Sequence, residues 1–387
     1  MELKEGYKQT NTGIFPEDWG LHTIGDSMRL VNGRAFKPED WGDQGLPIIR
    51  IQNLNDPTSD FNHWAGPVEN RHIIEPGDLV FAWSGTKGTS FGARVWQGPT
   101  GVLNQHIFKV LPDTRKLTRS YAFHILRQVQ EDIEKQAHGF KASFVHVKKS
   151  DLVGVQLPLP PTNIEQETIA EALSDADALI ESLEQLIAKK RQIKQGAAQE
   201  LLTGKRRLPG FEAEAQFKQS EIGEIPSDWS VSTIGDLSIC YSGGTPNTAN
   251  PSFYGGNIPW ITSGDLNLTR IKDVEGRITA EGLAQSSAKI VKPGTVLIAL
   301  YGATAGIAAI TEIRAAINQA VLAIVSNLVH AEYLFQLLRY RKDLYVATYT
   351  QGGQPNLSGD LVKAFLVAIP RTREEQEYIA GVLIEMD

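Results

Sequence analysis

Cysteine is almost missing from this sequence: its 387 residues include one, Cys240. A lone thiol forms no internal disulfide and no cysteine-based metal cluster, and it suits a reducing cytoplasm. Long apolar runs are also missing. The most apolar stretch, about residues 295–310, is broken by Gly302, Thr304 and Gly306. It is shorter than a membrane span needs and reads as buried strands around a turn. Residues 1–8 are polar, with no apolar signal core. Basic charge is in deficit, with 38 Lys and Arg against 45 Asp and Glu, a formal net charge of −7. Affinity for phosphate comes mainly from Lys and Arg, so a nucleic-acid contact here requires basic residues gathered on one surface.

Catalytic motifs are absent as well. No Asn/Asp-Pro-Pro-aromatic motif for base methylation occurs; Pro160-Pro161 is followed by Thr162 and reads as a stiff turn. Gly85, Gly88 and Gly92 have the wrong spacing for a dinucleotide fingerprint, and Gly204-Lys205 lacks the Ser/Thr and upstream Gly of a phosphate loop. The eight histidines form no His-Glu-x-x-His pattern. The expectation is a non-catalytic chain with no metal and no cofactor of its own.

What the sequence does contain is an internal repeat. Pro16-Glu17-Asp18-Trp19 returns as Pro226-Ser227-Asp228-Trp229, and Thr23-Ile24-Gly25-Asp26 as Thr233-Ile234-Gly235-Asp236, both 210 residues on. Asn104-Gln105 returns as Asn318-Gln319. Glu165-Gln166-Glu167 returns as Glu375-Gln376-Glu377, again at 210. With 41% hydrophobic and 21% charged residues, the chain is globular and long enough for two domains. Strand signals fall at 48–51, 79–83 and 102–110, and in the second half at 259–262, 296–301 and 320–325. Helices follow near 120–136 and 331–345. This predicts an α+β fold: two tandem domains of small mixed β-sheet with helices, related by a pseudo-twofold internal repeat. Trp19 and Trp229 read as core anchors.

Between the halves lies a long helix predicted to start at Asn163 as N-cap and to resume beyond Gly196 as far as Leu202. Ile169, Leu173, Ala176, Ile180, Leu183 and Ile187 recur at alternating spacings of four and three, a coiled-coil seam. At 1.5 Å per residue it spans roughly 55–60 Å. Its first half is acidic and its second half basic, an order that favours the helix dipole and permits antiparallel pairing. The predicted boundaries are 1–160 for the first domain, 161–208 for the helix, 209–370 for the second domain and 371–387 for the start of a second long helix.

The stretch Gln199-Glu200-Leu201-Leu202-Thr203-Gly204-Lys205-Arg206-Arg207-Leu208-Pro209-Gly210-Phe211, with Glu165 to Ala170 at the helix start, resembles the central region of type I restriction-modification specificity subunits. The Asp-Trp opening of each half and Pro259-Trp260-Ile261 resemble the same family. The resemblance implies two target-recognition domains, each reading one half of a bipartite site in double-stranded DNA. It implies that the helices space the half-sites and dock two methyltransferase (modification) subunits, with endonuclease (restriction) subunits joining. S-adenosylmethionine, and ATP with Mg2+, are expected on those partner subunits only, and the complex is expected in the cytoplasm. In the family the second repeat also ends in a long helix that pairs with the first. Here the repeat reaches Asp387, the equivalent of Asp177, so self-association or a methyltransferase subunit is expected to cover the seam. The competing readings are a stand-alone methyltransferase or nuclease fusion, which needs a cofactor or carboxylate motif, and a protein-only adaptor, which shifts no duplex.

Two halves that read different bases should share the residues that hold the fold and differ in those that read sequence. Shared Asn104, Gln105, Asn318 and Gln319 can pair with adenine edges or build a common turn. The loop 84–90 offers Thr86, Lys87 and Ser90, against neutral 302–306 with Thr304. A basic run offers Lys141, Ser143, His146, Lys148 and Lys149, against Gln354 and Asn356. A third differing set is Arg34, Lys37 and Arg50, against Gly244, Asn247 and Thr262. For each set a solvated surface role is the bland alternative.

Overall fold

The computed structural model describes residues 5–56, 58–136, 144–212, 216–349 and 356–387. Lys141, Ser143 and Gln354 lie outside the described residues. The chain divides into two compact units, Met1–Glu184 and Gln185–Asp387.

The first unit opens on an antiparallel hairpin, Tyr7–Thr10 with Gly13–Pro16. Gly20–Thr23 then pairs with the distant Gln156–Leu159, closing the unit on itself. The Thr23 hydroxyl caps the short helix Ile24–Ser27 by accepting from Asp26 N at 3.1 Å. A four-stranded antiparallel sheet follows in the order Gly92–Val95, Leu79–Ala82, Ile107–Pro112, Met28–Asn32. A smaller sheet holds His63–Trp64, Leu46–Ile49, Gly101–Leu103 and Ile73–Ile74, with Gly101–Leu103 parallel to Leu46–Ile49. Phe81, Phe91 and Phe108 are fully buried with Leu126 of the helix Arg119–Gln136 in the same core.

The second unit repeats this order. Its hairpin is Phe217–Ser220 with Gly223–Pro226, and Ser230–Thr233 pairs with Leu366–Ile369. The apolar stretch forms the antiparallel strands Val296–Ala299 and Ala308–Thr311, as its glycine-broken pattern predicts. Val321–Val325 lies between Val296–Ala299 and Ile239–Ser242. The smaller sheet contains Tyr254–Ile261, Ala315–Ile317 and Lys289–Val291. The helix Ala331–Tyr349 buries Tyr333, Phe335 and Leu338.

Local expectations needed correction at four places. The 102–110 signal splits into Gly101–Leu103 and Ile107–Pro112, because Asn104 and Gln105 turn the chain. The 48–51 strand ends at Ile49, and Ile51–Asn55 is a short helix whose first turn is held by Arg50 N donating to Asn53 Oδ1. The long helix Asn163–Leu202 is capped by Thr162, whose hydroxyl accepts from Glu165 N at 3.2 Å; Asn163 instead donates to Thr114 O. Trp19 is only half-buried, against 1% exposure for Trp229.

The long helix has 40 residues and runs through Gly196 without a break. Ile169 packs at the edge of the first core. Ala176 is exposed, and Leu173, Ile180, Leu183 and Ile187 are about half exposed, so the seam is an open apolar stripe. No helix among the described residues is long and apolar enough to cross a membrane, and no group of described His, Cys, Asp or Glu is placed to hold a metal ion.

Candidate nucleic-acid interface

Both units build the same turn at the mouth of the smaller sheet, and the shared Asn-Gln pair makes it. In the first unit Asn104 N donates to Ile49 O, while Arg34 N donates to Leu103 O. Gln105 Oε1 accepts from Phe36 N at 3.3 Å, and Gln105 O accepts from Trp83 Nε1 at 3.1 Å. In the second unit Asn318 N donates to Ile261 O, and Gly244 N donates to Ile317 O. Asn318 Oδ1 accepts from Ala320 N at 3.0 Å, and Gln319 Oε1 accepts from Thr245 at 2.5 Å. The chain passes so close here that a Cβ on Gly33 would lie 2.1 Å from Asn104 O, and one on Gly243 1.8 Å from Ile317 O. Glycine is required at both positions by this approach.

Around that common turn the side chains differ. In the first unit the strand Phe144–His146 pairs with Ser84–Thr86, setting His146 opposite Ser84. Trp83 packs against His106 at 5.2 Å and His146 at 4.9 Å between ring centroids, and both imidazoles are exposed. Lys149 donates to Leu30 O at 2.7 Å and lies near the Phe108 ring; Lys148 is exposed beside it. In the second unit the same place is an isolated bridge between Tyr301 and Asn356, both exposed. Thr304 closes the adjoining turn by donating to Tyr301 O at 3.2 Å.

The loop 84–90 is held rigidly. Ser90 is buried, its hydroxyl accepting from Thr86 N at 2.7 Å. The Lys87 ammonium donates to Glu134 O at 2.8 Å, satisfying a carbonyl in the last turn of the helix Arg119–Gln136. Thr86 is exposed at the rim.

A second cluster combines arginine with aromatic rings. The Arg34 guanidinium lies 4.1 Å from the Trp64 ring centre and donates to Pro67 O at 2.9 Å. Arg50 lies 5.1 Å from the Trp41 ring centre, and Trp41 is exposed. Lys37 is exposed, 3.8 Å from Glu39. Thr262, which stands where Arg50 does, spends its hydroxyl on Asp265 at 2.8 Å. The first unit therefore gathers Arg34, Arg50, Gln105, Thr86, His146 and Lys148 on the elements bordering one turn. The second gathers Gln319, Tyr301, Thr304 and Asn356 there.

The two units thus share backbone and turn, and differ in the side chains presented there. Residues 16–193 and 226–387 each match the family model described as the type I restriction modification DNA specificity domain. The chain belongs to that family. It is 28% identical over 244 residues to the type I restriction enzyme MjaVIII specificity subunit of Methanocaldococcus jannaschii, covering 62% of this chain and 54% of that one. It is 26% identical over 332 residues to the EcoBI specificity subunit of Escherichia coli, covering 80% and 66%. The chain thus spans about half to two-thirds of the length of these curated relatives. A crystal structure of a type I restriction-modification S subunit from M. genitalium has the same fold, with a TM-score of 0.61 at 18% identity, covering 100% of this chain and 91% of that chain. A structure describing assembly and conformational transition of the type I R-M system matches with a TM-score of 0.51 at 18% identity, covering 96% and 90%.

Trp41, Trp64, Trp83, His106 and Tyr301 were missed as site residues by sequence reasoning. His106 and Tyr301 were within its reach. Each is a differing residue beside a shared landmark: His106 follows the Asn-Gln pair where the second half has Ala320, and Tyr301 precedes Gly302 where the first half has Ser84 before Gly85. The tryptophans carry no such mark, because their neighbours come from other strands.

Proposed function

We propose that this chain is the DNA-reading, non-catalytic subunit of a type I restriction-modification complex. Each unit reads one half of a bipartite duplex site through the side chains around its Asn-Gln turn. The observation carrying this reading is the common turn with unlike surroundings: His146, His106 and Thr86 in one unit, and Asn356, Tyr301 and Ala320 in the other. A shared frame fixes register on the duplex, while differing polar groups discriminate base edges. Arg34 and Arg50 lie against aromatic rings, giving an acidic chain a local cationic surface. The open stripe of the long helix fits a role as spacer and as docking face for two methyltransferase subunits or for a helix of another chain. In this reading S-adenosylmethionine, and ATP with Mg2+, are bound by the modification and restriction subunits, in the cytoplasm.

The test is to express the chain with its cognate methyltransferase subunit and map adenine methylation across a genome. A single motif of two short words separated by a fixed gap is expected. An uninterrupted motif, or no methylation dependent on this chain, removes the reading.

A further inference from the structure

At the end of the larger sheet away from the Asn-Gln turn, the two units differ in charge. In the first unit three charged side chains meet there. Lys109 Nζ lies 2.7 Å from Asp78 and donates to Ile73 O at 2.8 Å, and Arg119 lies 2.8 Å from the same carboxylate. Arg29 is exposed on the neighbouring strand.

The second unit keeps the backbone of this place and loses the charges. Strand register sets Ala323 where Lys109 stands, Ile239 where Arg29 stands and Thr295 just before the strand, where Asp78 stands. Ala331 takes the place of Arg119, and Lys292 that of Glu75. Tyr241 takes over the carbonyl that Lys109 reaches in the first unit. Its hydroxyl donates to Ile290 O at 3.4 Å, the counterpart of Ile73 O.

What remains is a cavity of about 380 Å3, within the range of about 300–1,000 Å3 typical of small-molecule sites. Val296, Ile324, Val329 and Leu334 are its buried lining, while Ile239 and Val325, 73% and 39% exposed, stand at its mouth. Polar groups narrow the choice of ligand. The Tyr241, Thr295 and Ser326 hydroxyls also line the cavity, and each spends its proton on a carbonyl: Ile290 O, Lys292 O at 2.7 Å and Leu237 O at 2.5 Å. Lys292 is exposed and carries the one charge among the lining residues. Lys289 adds a second cation nearby, its ammonium 5.5 Å from the Tyr241 ring centre.

We propose that this cavity binds a small amphipathic anion: an alkyl or aryl body against Val296, Ile324 and Leu334, and a carboxylate or sulfonate on the Lys292 ammonium. Burial of the body restores packing that the open walls lack. The repeat argues for the sign of the head group. In the first unit cations close on Asp78; in the second that carboxylate is gone and Glu75 is replaced by Lys292. A cation finds no carboxylate among the lining residues, and hydroxyls whose protons are spent give a neutral acceptor no donor. The site is separate from the proposed DNA-reading turn: Val321 lies at the turn end of its strand and Val325 at the cavity end.

The test uses the full chain with two fluorescent probes, anionic anilinonaphthalene sulfonate and neutral phenylnaphthylamine. Saturable binding of both is expected, with decanoate as competitor. Lys292→Glu is expected to weaken the anionic probe roughly tenfold and to leave the neutral one bound as before. Thr295→Asp with Ala331→Arg, which rebuilds the first unit's ion pair in the cavity, is expected to remove one equivalent of either probe per chain. Thermal unfolding of both variants should match that of the parent; Lys292 is exposed, so its variant keeps the head-group contact testable even where the double variant does not fold. Absence of saturable binding overturns the proposal. So does equal binding of the anionic probe by Lys292→Glu, or an unchanged stoichiometry in a folded double variant.

Discussion

His146 and Asn356 occupy the same position in the two repeats, and both are exposed. Packing demands neither identity. Imidazole and carboxamide offer different donor and acceptor patterns to a base edge, so the difference is available for reading sequence. His146→Asn is therefore expected to change the half-site read by the first unit and to leave the other half and the gap intact. Methylation mapping with the cognate modification subunit measures this directly. Unchanged half-sites would mean that His146 packs edge-on against Trp83 for structural reasons alone. Lys87 shows the opposite situation: part of its chemistry is spent on the carbonyl of Glu134. Polar type and mismatch between the halves singled out both residues, but only the fold separates a tethered ammonium from an open imidazole.

At the scale of elements, the same Asp-Trp motif follows a hairpin in each unit and meets different surroundings. Trp229 is sealed by the end of the long helix, while Trp19 faces an open groove. Trp229→Ala is expected to lower stability by about 3–5 kcal/mol, and Trp19→Ala by roughly half of that, since less surface is lost from contact. Denaturant unfolding of the two variants gives the comparison, and equal losses would contradict the difference in burial. Helix positions were largely legible because apolar spacing and Gly or Pro punctuation are local signals. The split of 102–110 was not, although Asn104-Gln105 is shared with the second half. A two-residue turn within an apolar run leaves the alternation almost unchanged, and what fixes it is bonding to Ile49 and Phe36. The cap moved from Asn163 to Thr162 for a related reason. Both residue types cap well, and Thr114 supplies a competing acceptor for Asn163 that only folding brings near.

For the whole molecule, the long helix is the feature that function would use as a ruler. Inserting one heptad after Glu184 keeps the apolar stripe in phase and adds about 10 Å of helix. The proposed function then requires the gap between half-sites to lengthen by about three base pairs, with both half-sites unchanged. The methylated motif of such a variant reports the gap, and an unaltered gap would deny the helix its spacing role.

Sequence by itself determined the repeat, the α+β character, the long helix with its apolar seam, and the membership suggested by the helix-end motif, because each rests on local pattern or on comparison of one half with the other. Tertiary structure decided which side chains meet at the Asn-Gln turn, which tryptophan is sealed, and that one groove is occupied while its twin is open. Those outcomes depend on contacts between residues far apart in the chain, such as Trp83 with His146 or Arg207 with Glu375. Periodicity carries no record of such pairings; they arise only when strands and helices have packed.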